Sequence, residues 1–421
     1  MRSERVALAG DPAVLVAELR ALVPAAESVT AAVAEIISRV RAEGDAAVND
    51  YTRLLDTGGA EPKPQRVSED ELEAAAQGLE PAIRRGLERA IANVEAVATA
   101  RAHRERISVD LGSHVVHVGS TPVARAGVYV PGGRAPYPST VVMGVVPARI
   151  AGVQHVAVCA PPGPDGELNP VILGACRLAG ASTVYRMGGA QAIAALAYGT
   201  ESVTAVDVIV GPGNLYVQEA KRQVFGQVAI DGFAGPSDLV AIAEGGVDPE
   251  PLALDLLAQA EHGPGTLVVG VSDSPELLDA LAARLDEGIN TGAVACLIEV
   301  SDFEHALAFA EAFAPEHLQL VGPGPEALAS RVTRVGCVFI GGLSATAFGD
   351  YIAGSNHILP TGGAARFASG LSPEHFLRGT TEVRVLEASE LAREAAPVAR
   401  AEGFELHARS MEARIRDNQG Q

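Results

Sequence analysis

The segment DLLAQAEHGPG, residues 255–265, ends an apolar, alanine-rich helical pattern with polar side chains directly before a Gly-Pro stop. Gln259 and His262 are three positions apart and share one face of the last helical turn, whereas Glu261 points elsewhere. An amide oxygen and an imidazole nitrogen are donors that zinc accepts. A histidine at a helix C-terminus can also simply complement the helix dipole. The segment alone leaves a metal-binding and a structural interpretation open.

Two further groups of polar residues have types that suit proton transfer or metal binding. In APEHLQL, the adjacent Glu316 and His317 lie between a proline that ends a helix and an apolar strand. Two such groups with different pKa values could act as acid and base within one pocket. In GDYIAGSNHILPTGG, Asp350 and His357 lie in a loop too rich in Gly, Ser and Asn to be a core element. Long polar loops in compact domains tend to carry function.

A zinc site would need three or four ligands from separate elements. Gln259, His262, Asp350 and His407 would form an N/O donor set of that size. His407 lies with Glu402 in EGFELH, where a charged helix surface is the ordinary interpretation. No local spacing such as HExxH supports the set. From residue chemistry alone, surface and helix-end roles are the simpler interpretation.

The segments around these residues alternate between strand and helix patterns. HVAVCAPPG, VYRMGG and VDVIVGPGN are apolar strands that end in loops, each is followed by a helical pattern, and the same order returns after residue 248. Such repeats predict parallel sheets with right-handed crossovers. We therefore predict two α/β units with the ligand site between them, at the carboxyl ends of the strands.

Three glycine-containing loops, VPGG, MGGAQ and GPGN, follow apolar strands and could bind a nucleotide through backbone N–H groups near helix starts. The dinucleotide fingerprint GxGxxG is absent, because GPGNLY, residues 211–216, lacks the third glycine. Plain glycine turns of an α/β sheet explain the loops equally well.

Composition restricts the class of protein. The chain has 421 residues, a formal charge of −20 and 48 % hydrophobic residues. The negative charge disfavours nucleic acid and anionic membrane partners. Because the N-terminal sequence has no signal-peptide pattern and no apolar run is long enough to span a membrane, we expect a cytoplasmic protein. The cysteines lie far apart among apolar residues, and we predict that all of them are buried: Cys159, Cys176, Cys296 and Cys337.

The motifs together resemble the histidinol dehydrogenase family. The resemblance extends from GVYVPGGRAPYPSTVVMGVVPA to EGFELHARS and includes GGAQAIAALAYGTESV, VDVIVGPGNLYVQEAKRQV, IDGFAGPSDLVAIA, DLLAQAEHGP and both polar motifs described above. So many long blocks in one order are far more specific than any short motif. The family oxidises L-histidinol to L-histidine with two NAD⁺ through a bound aldehyde, at the last stage of histidine biosynthesis.

The resemblance implies an α/β fold with two Rossmann-like parallel-sheet domains without a GxGxxG fingerprint, plus small N-terminal and helical C-terminal segments. The implied domains are an N-terminal segment 1–21, a discontinuous domain 22–128 and 240–371 with most metal and catalytic residues, a Rossmann-like NAD-binding domain 129–239, and a C-terminal segment 372–421. The resemblance also implies an intertwined homodimer, in which the C-terminal segment completes the site of the other subunit.

Matching motifs imply roles for individual residues. One zinc ion per subunit would be bound by Gln259, His262, Asp350 and His407. In the family the metal orients the substrate through its amino and imidazole nitrogens. His317 would be the general base for the alcohol, and Glu316 would activate the water that hydrates the aldehyde. Substrate-binding residues would be Ser237, Gln259, His262, His317, Asp350, Glu402 and His407. Glu402 and His407 would act in trans.

The NAD contacts implied by the family are Tyr129 of VYVPGG, Gln191 of GGAQ and Asn214 of GPGN. His357 of SNH would lie close to the substrate. One departure is Asp238, which follows AGPS where the family pattern suggests Glu. The shorter side chain keeps the charge but puts the local support of Ser237 in doubt.

Three other functions compete with this one. A dehydrogenase of the same superfamily could oxidise another primary alcohol to its acid, although Glu402, His407 and the SNH motif argue against it. A cysteine-dependent aldehyde dehydrogenase would use Cys159 or Cys296 as nucleophile, but neither has an evident activating base. A zinc-stabilised binding protein without turnover would not need a free Glu-His pair.

Overall fold

The computed structural model describes residues 3–8, 10–23, 28–102, 106–132, 135–232 and 235–416. The chain divides into two compact units. The first comprises Met1–Arg101 and Val123–Phe376, and the second comprises residues 102–122 and 377–421.

The first unit contains most of the helices and two sheets. Its helices are α1 (Pro12–Ala21), α2 (Thr30–Glu43), α3 (Asp45–Leu55), α4 (Glu69–Gln77), α5 (Pro81–Arg101), α6 (Pro138–Ala151), α7 (Pro170–Ala179), α8 (Gly189–Tyr198), α9 (Leu215–Val224), α10 (Pro249–Ala260), α11 (Pro275–Glu287), α12 (Phe303–Phe313), α13 (Pro323–Glu326) and α14 (Thr346–Tyr351). Short 3-10 turns lie at Ala329–Arg331, Ala364–Arg366 and Pro373–Phe376.

A five-stranded parallel sheet forms one core of this unit. Its strands are β4 (Arg125–Tyr129), β5 (His155–Ala160), β6 (Thr183–Arg186), β7 (Val208–Val210) and β8 (Ala229–Ile230), in the order β6-β5-β4-β7-β8. Val128 of the central strand pairs with Val158 and Val210 and has no exposed surface. Short runs of valine and isoleucine suit strands that helices cover on both faces. Glycine loops follow β4, β6 and β7 at the carboxyl edge of the sheet.

A six-stranded parallel sheet forms the second core. Its strands are β1 (Ser3–Ala7), β9 (Asp238–Ala243), β10 (Leu267–Ser272), β11 (Val294–Glu299), β12 (His317–Val321) and β13 (Cys337–Ile340), in the order β1-β11-β10-β9-β12-β13. Every residue of β9, β10 and β12 is buried. The predicted alternation of strands and helices is confirmed in both halves of the chain, and with it the α/β class.

The second unit is an antiparallel sheet with two helices. The sheet has the order β14-β3-β2, with β2 (Ile107–Asp110), β3 (His114–Pro122) and β14 (Leu377–Val385), and the helices are α15 (Ser389–Ala401) and α16 (Glu405–Glu412). The C-terminal segment thus contains the predicted helices and, before them, a strand in LRGTTEVRV. Many apolar side chains of this unit are exposed: Ile107, Val109, Leu111, Val118, Val383, Val385, Leu386, Val398, Phe404 and Leu406.

Two sequence-based expectations bear on these elements. Cys159, Cys176 and Cys296 are buried as predicted, but Cys337 is only half-buried, because β13 is an edge strand of its sheet. No helix in the described ranges has the length and apolar character that crossing a membrane requires. The domain boundaries derived from the family resemblance stay a prediction.

Candidate active site

The end of α10 presents the first two predicted metal ligands in a fixed orientation. The Gln259 amide is buried, and its Nε2 donates to Ser237 Oγ at 2.8 Å. The His262 Nδ1 donates to the Gln259 carbonyl at 2.9 Å. These bonds leave the Gln259 Oε1 and the His262 Nε2 as the atoms that can face a metal. A ligand histidine whose second nitrogen binds a backbone carbonyl is the usual arrangement at zinc sites.

Glu316 and His317 lie where α12 leads into β12. Glu316 is 6 % exposed, and its Oε2 accepts from the Ser237 hydroxyl and from the Asp238 N–H. The His317 Nδ1 lies 3.7 Å from the Glu316 Oε2, and its Nε2 lies 3.5 Å from the Asp350 Oδ1. The imidazole therefore stands between two carboxylates in a site from which water is nearly excluded.

The surroundings shift the pKa of both members of this pair. Burial raises the pKa of Glu316 to about 7, although the neighbouring His317 and the hydrogen bonds to the carboxylate oppose this effect. Burial lowers the pKa of His317, but the charges of Glu316 and Asp350 outweigh burial and raise it to about 9. The His317 Nδ1 is buried and has no hydrogen-bond partner among the described residues. Perturbed pKa values are frequent at catalytic sites, and here they coincide with an unpaired buried nitrogen beside two carboxylates.

Asp350, in α14, joins these residues to the SNH loop. Its backbone carbonyl accepts from the His357 Nδ1 at 2.9 Å. Burial raises the pKa of the Asp350 carboxyl group, but the histidines around it, His317 first, lower it below its usual range. The His357 Nε2 lies 3.2 Å from the Thr140 Oγ1, which belongs to the first turn of α6. The contact links the SNH loop to the carboxyl edge of the five-stranded sheet, where α6 begins.

The position of the site corrects one expectation. We predicted a ligand site at the carboxyl ends of the strands of both units, but Asp238 and His317 are the first residues of β9 and β12. Gln259 lies in the last turn of α10, and His262 lies in the turn between α10 and β10. The site therefore lies at the amino edge of the six-stranded sheet, because this edge is where the helices of parallel units end. The position of Glu316 and His317 before an apolar strand was a signal of this in the sequence.

Whether a zinc ion fits depends on the ligand atoms that one chain supplies. No three His, Cys, Asp or Glu side chains within the described ranges are arranged to hold a metal ion. Of the expected ligand set, the first unit supplies one imidazole and one carboxylate, His262 and Asp350, besides the Gln259 amide. Neutral imidazole, carboxylate and amide oxygen are donors that zinc accepts, and such a set needs a further ligand from elsewhere.

His407 and Glu402 lie in the second unit. His407 is in the first turn of α16, its ring 5.0 Å from that of Phe404 in an edge-on arrangement. Glu402 directly follows α15. Both are exposed within one chain, as residues that serve another subunit would be.

The predicted NAD residues lie near the glycine loops at the carboxyl edge of the five-stranded sheet. The buried Tyr129 hydroxyl accepts from the Gly189 N–H at 3.1 Å, at the start of α8. Gln191 has no exposed surface, and both polar atoms of its amide lack a hydrogen-bond partner among the described residues. Asn214 caps α9, because its Oδ1 accepts from the Val217 N–H at 3.1 Å. Two helix N-termini with an unpaired amide beside them are suited to a ligand with phosphates and a polar ring.

A buried ion pair supports the GPGN loop, and the sequence analysis missed it. The Lys221 Nζ donates to the Gly211 carbonyl at 3.0 Å and to Asp231, and the Asp231 Oδ2 accepts from the Gly211 N–H at 2.7 Å. Both polar backbone groups of Gly211 are thereby fixed. A Cβ at this glycine, which has a φ of +120°, would lie 2.1 Å from the Tyr129 carbonyl oxygen. The lysine and aspartate resemble ordinary surface charges in the sequence, so only their burial identifies them.

Known proteins give a consistent comparison. The family model for histidinol dehydrogenase matches residues 23–415. A histidinol dehydrogenase of Parasynechococcus marenigrum is 45 % identical over 395 residues, which is 90 % of each chain. One of Methanothermobacter thermautotrophicus is 41 % identical over 93 % of this chain and 94 % of its own. The crystal structure of histidinol dehydrogenase from Elizabethkingia anophelis superposes with a TM-score of 0.90 at 31 % identity, covering 98 % of both chains. The chain belongs to the histidinol dehydrogenase family.

Proposed function

We propose that the protein oxidises L-histidinol to L-histidine through L-histidinal, with reduction of two NAD⁺, in the last steps of histidine biosynthesis. Family membership over nearly the whole chain supports this reaction. The observation that carries the mechanism is the buried His317 between Glu316 and Asp350. A base, a second acid–base group and metal-type donors in one pocket are what two successive oxidations at one carbon require.

The first oxidation needs a base at the alcohol. His317 takes the hydroxyl proton of histidinol while hydride leaves the same carbon for NAD⁺, which yields the aldehyde, NADH and an imidazolium. The neighbouring carboxylates of Glu316 and Asp350 stabilise that imidazolium. The imidazolium must then lose its proton before the second oxidation can use the same base.

The second oxidation needs water. Glu316 accepts a proton from a water molecule as the water oxygen adds to the aldehyde carbon, and it then returns this proton to the former carbonyl oxygen, which gives the hydrated aldehyde. Hydride then leaves this carbon for the second NAD⁺, and His317 takes the proton of one hydroxyl, which leaves the carboxylic acid. Because burial holds the pKa of Glu316 near 7, the group can both accept and return a proton near neutrality.

Gln259, His262 and Asp350, together with His407 from a second copy of the chain, would hold zinc. When bound, zinc supplies positive charge and fixed coordination positions for the nitrogens of the substrate. Ser237 binds Gln259 and Glu316 at the same time, so it connects the metal-binding side of the pocket with the acid–base side. The remaining substrate contact would be Glu402.

Tyr129, Gln191 and Asn214 would hold NAD at the carboxyl edge of the five-stranded sheet. The backbone N–H groups at the starts of α8 and α9 that Tyr129 and Asn214 do not occupy would bind phosphates, and the Gln191 amide offers a donor and an acceptor that have no partner among the described residues. The contact between Thr140 and His357 joins this edge to the acid–base pocket.

An intertwined homodimer would complete the site. The exposed apolar residues of the second unit, on β2, β3 and β14 and on its helices, form a surface of a kind that subunit contacts bury. The exposure of His407 and Glu402 within one chain agrees with their acting in trans. Mixing His317→Asn with His407→Asn subunits after unfolding should restore part of the activity, because one site of the mixed dimer then has every residue. No recovery would contradict the sharing of sites.

The competing cysteine mechanism has no support in the pocket. Burial raises the pKa of the Cys159 thiol well above its ordinary range and that of Cys296 to about 12. A nucleophilic cysteine needs a lowered pKa and access to the substrate. Both thiols instead belong to the apolar cores of the two sheets.

The direct test is the NADH yield per L-histidinol consumed, measured with zinc and excess NAD⁺. Two equivalents with histidine as the product are expected. One equivalent with released aldehyde would contradict the assigned role of Glu316. No turnover by zinc-loaded protein would favour another primary alcohol, which a panel of amino alcohols would identify, or a binding protein without turnover.

A further inference from the structure

Glu316 and Asp238 hold each other by a reciprocal pair of hydrogen bonds. The Glu316 N–H donates to the Asp238 Oδ1 at 2.6 Å, and the Asp238 N–H donates to the Glu316 Oε2 at 3.1 Å. The Ser237 hydroxyl also donates to Oε2. Among the described residues every hydrogen bond to this carboxylate ends on Oε2, so Oε1 is the oxygen that remains for water or substrate.

Two carboxylates so close together are costly in a buried site unless a cation is near. Asp238 is 3 % exposed. Burial raises its pKa to about 6, and the Glu316 N–H and the charge of Arg20 act against this increase. Arg20 is half-buried and belongs to α1, in the N-terminal segment to which the sequence analysis gave no role.

Arg20 also fixes the chain that leads into Glu316. Its Nη2 donates to the Phe313 carbonyl at 2.7 Å, and its guanidinium lies 4.6 Å from the centre of the Phe313 ring. Phe313 is the last residue of α12, and the next residue, Ala314, adopts a left-handed φ of 51°. A non-glycine residue in this conformation needs support from its surroundings. The Arg20 guanidinium provides this support through its hydrogen bond to the Phe313 carbonyl, three residues before Glu316.

We infer that Asp238 and Arg20 are positioning residues for Glu316. Arg20 fixes the end of α12 and supplies charge beside Asp238, and Asp238 fixes the backbone and one carboxylate oxygen of Glu316. The short aspartate side chain is thus not a weakened support of Ser237, since its direct partner is the Glu316 N–H. This inference rests on the proposed function only for its catalytic consequence, which is that hydration of the aldehyde depends on both residues.

The structural part is tested by hydrogen exchange at the Glu316 amide, which does not require activity. Asp238→Ala removes the acceptor, and exchange at this amide should become at least about tenfold faster than in the parent protein. Asp238→Asn keeps an acceptor oxygen and should restore most of the protection. Arg20→Met should show a smaller increase. Unchanged exchange in Asp238→Ala would overturn the inference.

The matched control for Arg20 is Arg5→Met. Arg5 lies in the same N-terminal segment and forms ion pairs with Asp279 of α11 and Glu299 of β11, not with the pocket. Its replacement should leave exchange at Glu316 unchanged. An equal effect of Arg5→Met and Arg20→Met would show that the N-terminal segment acts only through general stability and would overturn the role of Arg20.

The catalytic part is tested by comparing the two oxidations. In Asp238→Ala and Arg20→Met, the rate with L-histidinal should fall about tenfold more than the rate of the first hydride transfer, and the NADH yield should fall from two toward one. Asp238→Asn should recover the yield. Equal losses in both steps, or none, would overturn the positioning role. If the parent protein itself makes no histidine, the proposed function fails, and the hydrogen-exchange result still decides the structural part.

Discussion

The two parallel sheets of the first unit have the same architecture but present opposite edges to the proposed reaction. The five-stranded sheet contributes loops at its carboxyl edge, where α8 and α9 begin. The six-stranded sheet contributes residues at its amino edge, where α10 and α12 end. In a parallel α/β unit the carboxyl edge carries helix N-termini, which favour anions, and the amino edge carries helix C-termini, which favour cations. One fold therefore offers a surface for cofactor phosphates and a surface for a metal ion.

The ionisable groups of the two edges differ in the same way. Beside the glycine loops, Lys221 and Asp231 are paired with each other and with backbone groups of Gly211. Beside the six-stranded sheet, Glu316 and His317 are buried with shifted pKa values and an unpaired imidazole nitrogen. The first set holds a loop in place through its hydrogen bonds to Gly211. The second set can move protons.

The largest expected effect is the loss of the base. His317→Asn should lower the rate of hydride transfer by about 10²–10⁴-fold, the usual contribution of a general base. Its KM for NAD should stay within about twofold of the parent value, because the cofactor loops lie at the other sheet edge. Steady-state kinetics with varied NAD, together with zinc analysis of the variant, measure both quantities. A large rise in the KM for NAD with an unchanged kcat would contradict the assignment of proton transfer to the edge of one sheet and NAD binding to the edge of the other.

The second prediction concerns the carboxyl edge of the five-stranded sheet, where the proposed NAD-binding loops lie. Gly211→Ala would place a Cβ 2.1 Å from the Tyr129 carbonyl oxygen, so the GPGN loop must move. We expect the Kd for NAD to rise about tenfold or more, with zinc content unchanged. Titration calorimetry with NAD measures this effect. Gly226→Ala is the control, because that glycine also has a positive φ, +102°, but its Cβ would meet nothing within 4 Å. Equal effects of both variants would mean that backbone strain alone, not the loop contact, controls binding.

The sequence predicts the elements of this site better than their arrangement. The alternation of strand and helix patterns predicts both sheets, and a spacing of three places Gln259 and His262 on one helix face. The reciprocal contact of Asp238 and Glu316 joins positions 78 apart in the chain. The fixation of Gly211 likewise depends on the burial of charges ten and twenty residues away. Local periodicity carries no information about such contacts, because tertiary packing creates them.

The same limit explains the misplaced sheet edge. Strand patterns indicate which residues precede and follow a strand, but the general preference of ligands for carboxyl edges suggested the wrong end for the six-stranded sheet. Glu316 directly precedes β12 and His317 begins it, so this ligand-binding pair lies at the amino end of the strand, against the general preference. The family resemblance suggests these residues but gives no physical reason for their position.

A smaller effect tests the electrostatics inside the acid–base pocket. Glu316 is the first of the charges that raise the pKa of His317. Glu316→Gln removes this charge, so the imidazolium becomes less stable and the pKa of His317 falls. The neutral form of His317 is then present at lower pH. The rate of the first hydride transfer, which rises with pH as His317 loses its proton, should therefore rise at lower pH in the variant. Single-turnover rates across pH measure the shift. A shift to higher pH would contradict the assignment of His317 as the base.

The smallest expected effect concerns Asp56, a half-buried residue to which no proton-transfer role is assigned. Asp56, after α3, has an Oδ2 that is buried without a hydrogen-bond partner among the described residues, and burial raises its pKa to about 6. Its ionised form is therefore disfavoured in the folded state. The resulting loss of stability is absent below the unfolded pKa of 3.8, grows as the pH rises and is complete above about 6.

Asp56→Asn should therefore raise the Tm by roughly 1–3 °C above pH 6 and leave it unchanged near pH 4, as measured by calorimetry across pH. Asp50→Asn, within α3, is the opposite control, since hydrogen bonds from Arg39 and Arg53 lower the pKa of Asp50. Replacement of the Asp50 carboxylate should not raise the Tm at any pH. A lower activity of Asp56→Asn at unchanged NAD affinity would contradict the restriction of proton transfer to the acid–base pocket, because a group outside this pocket would then take part in it. Unchanged activity with the expected gain in stability would confine proton transfer to the amino edge of the six-stranded sheet.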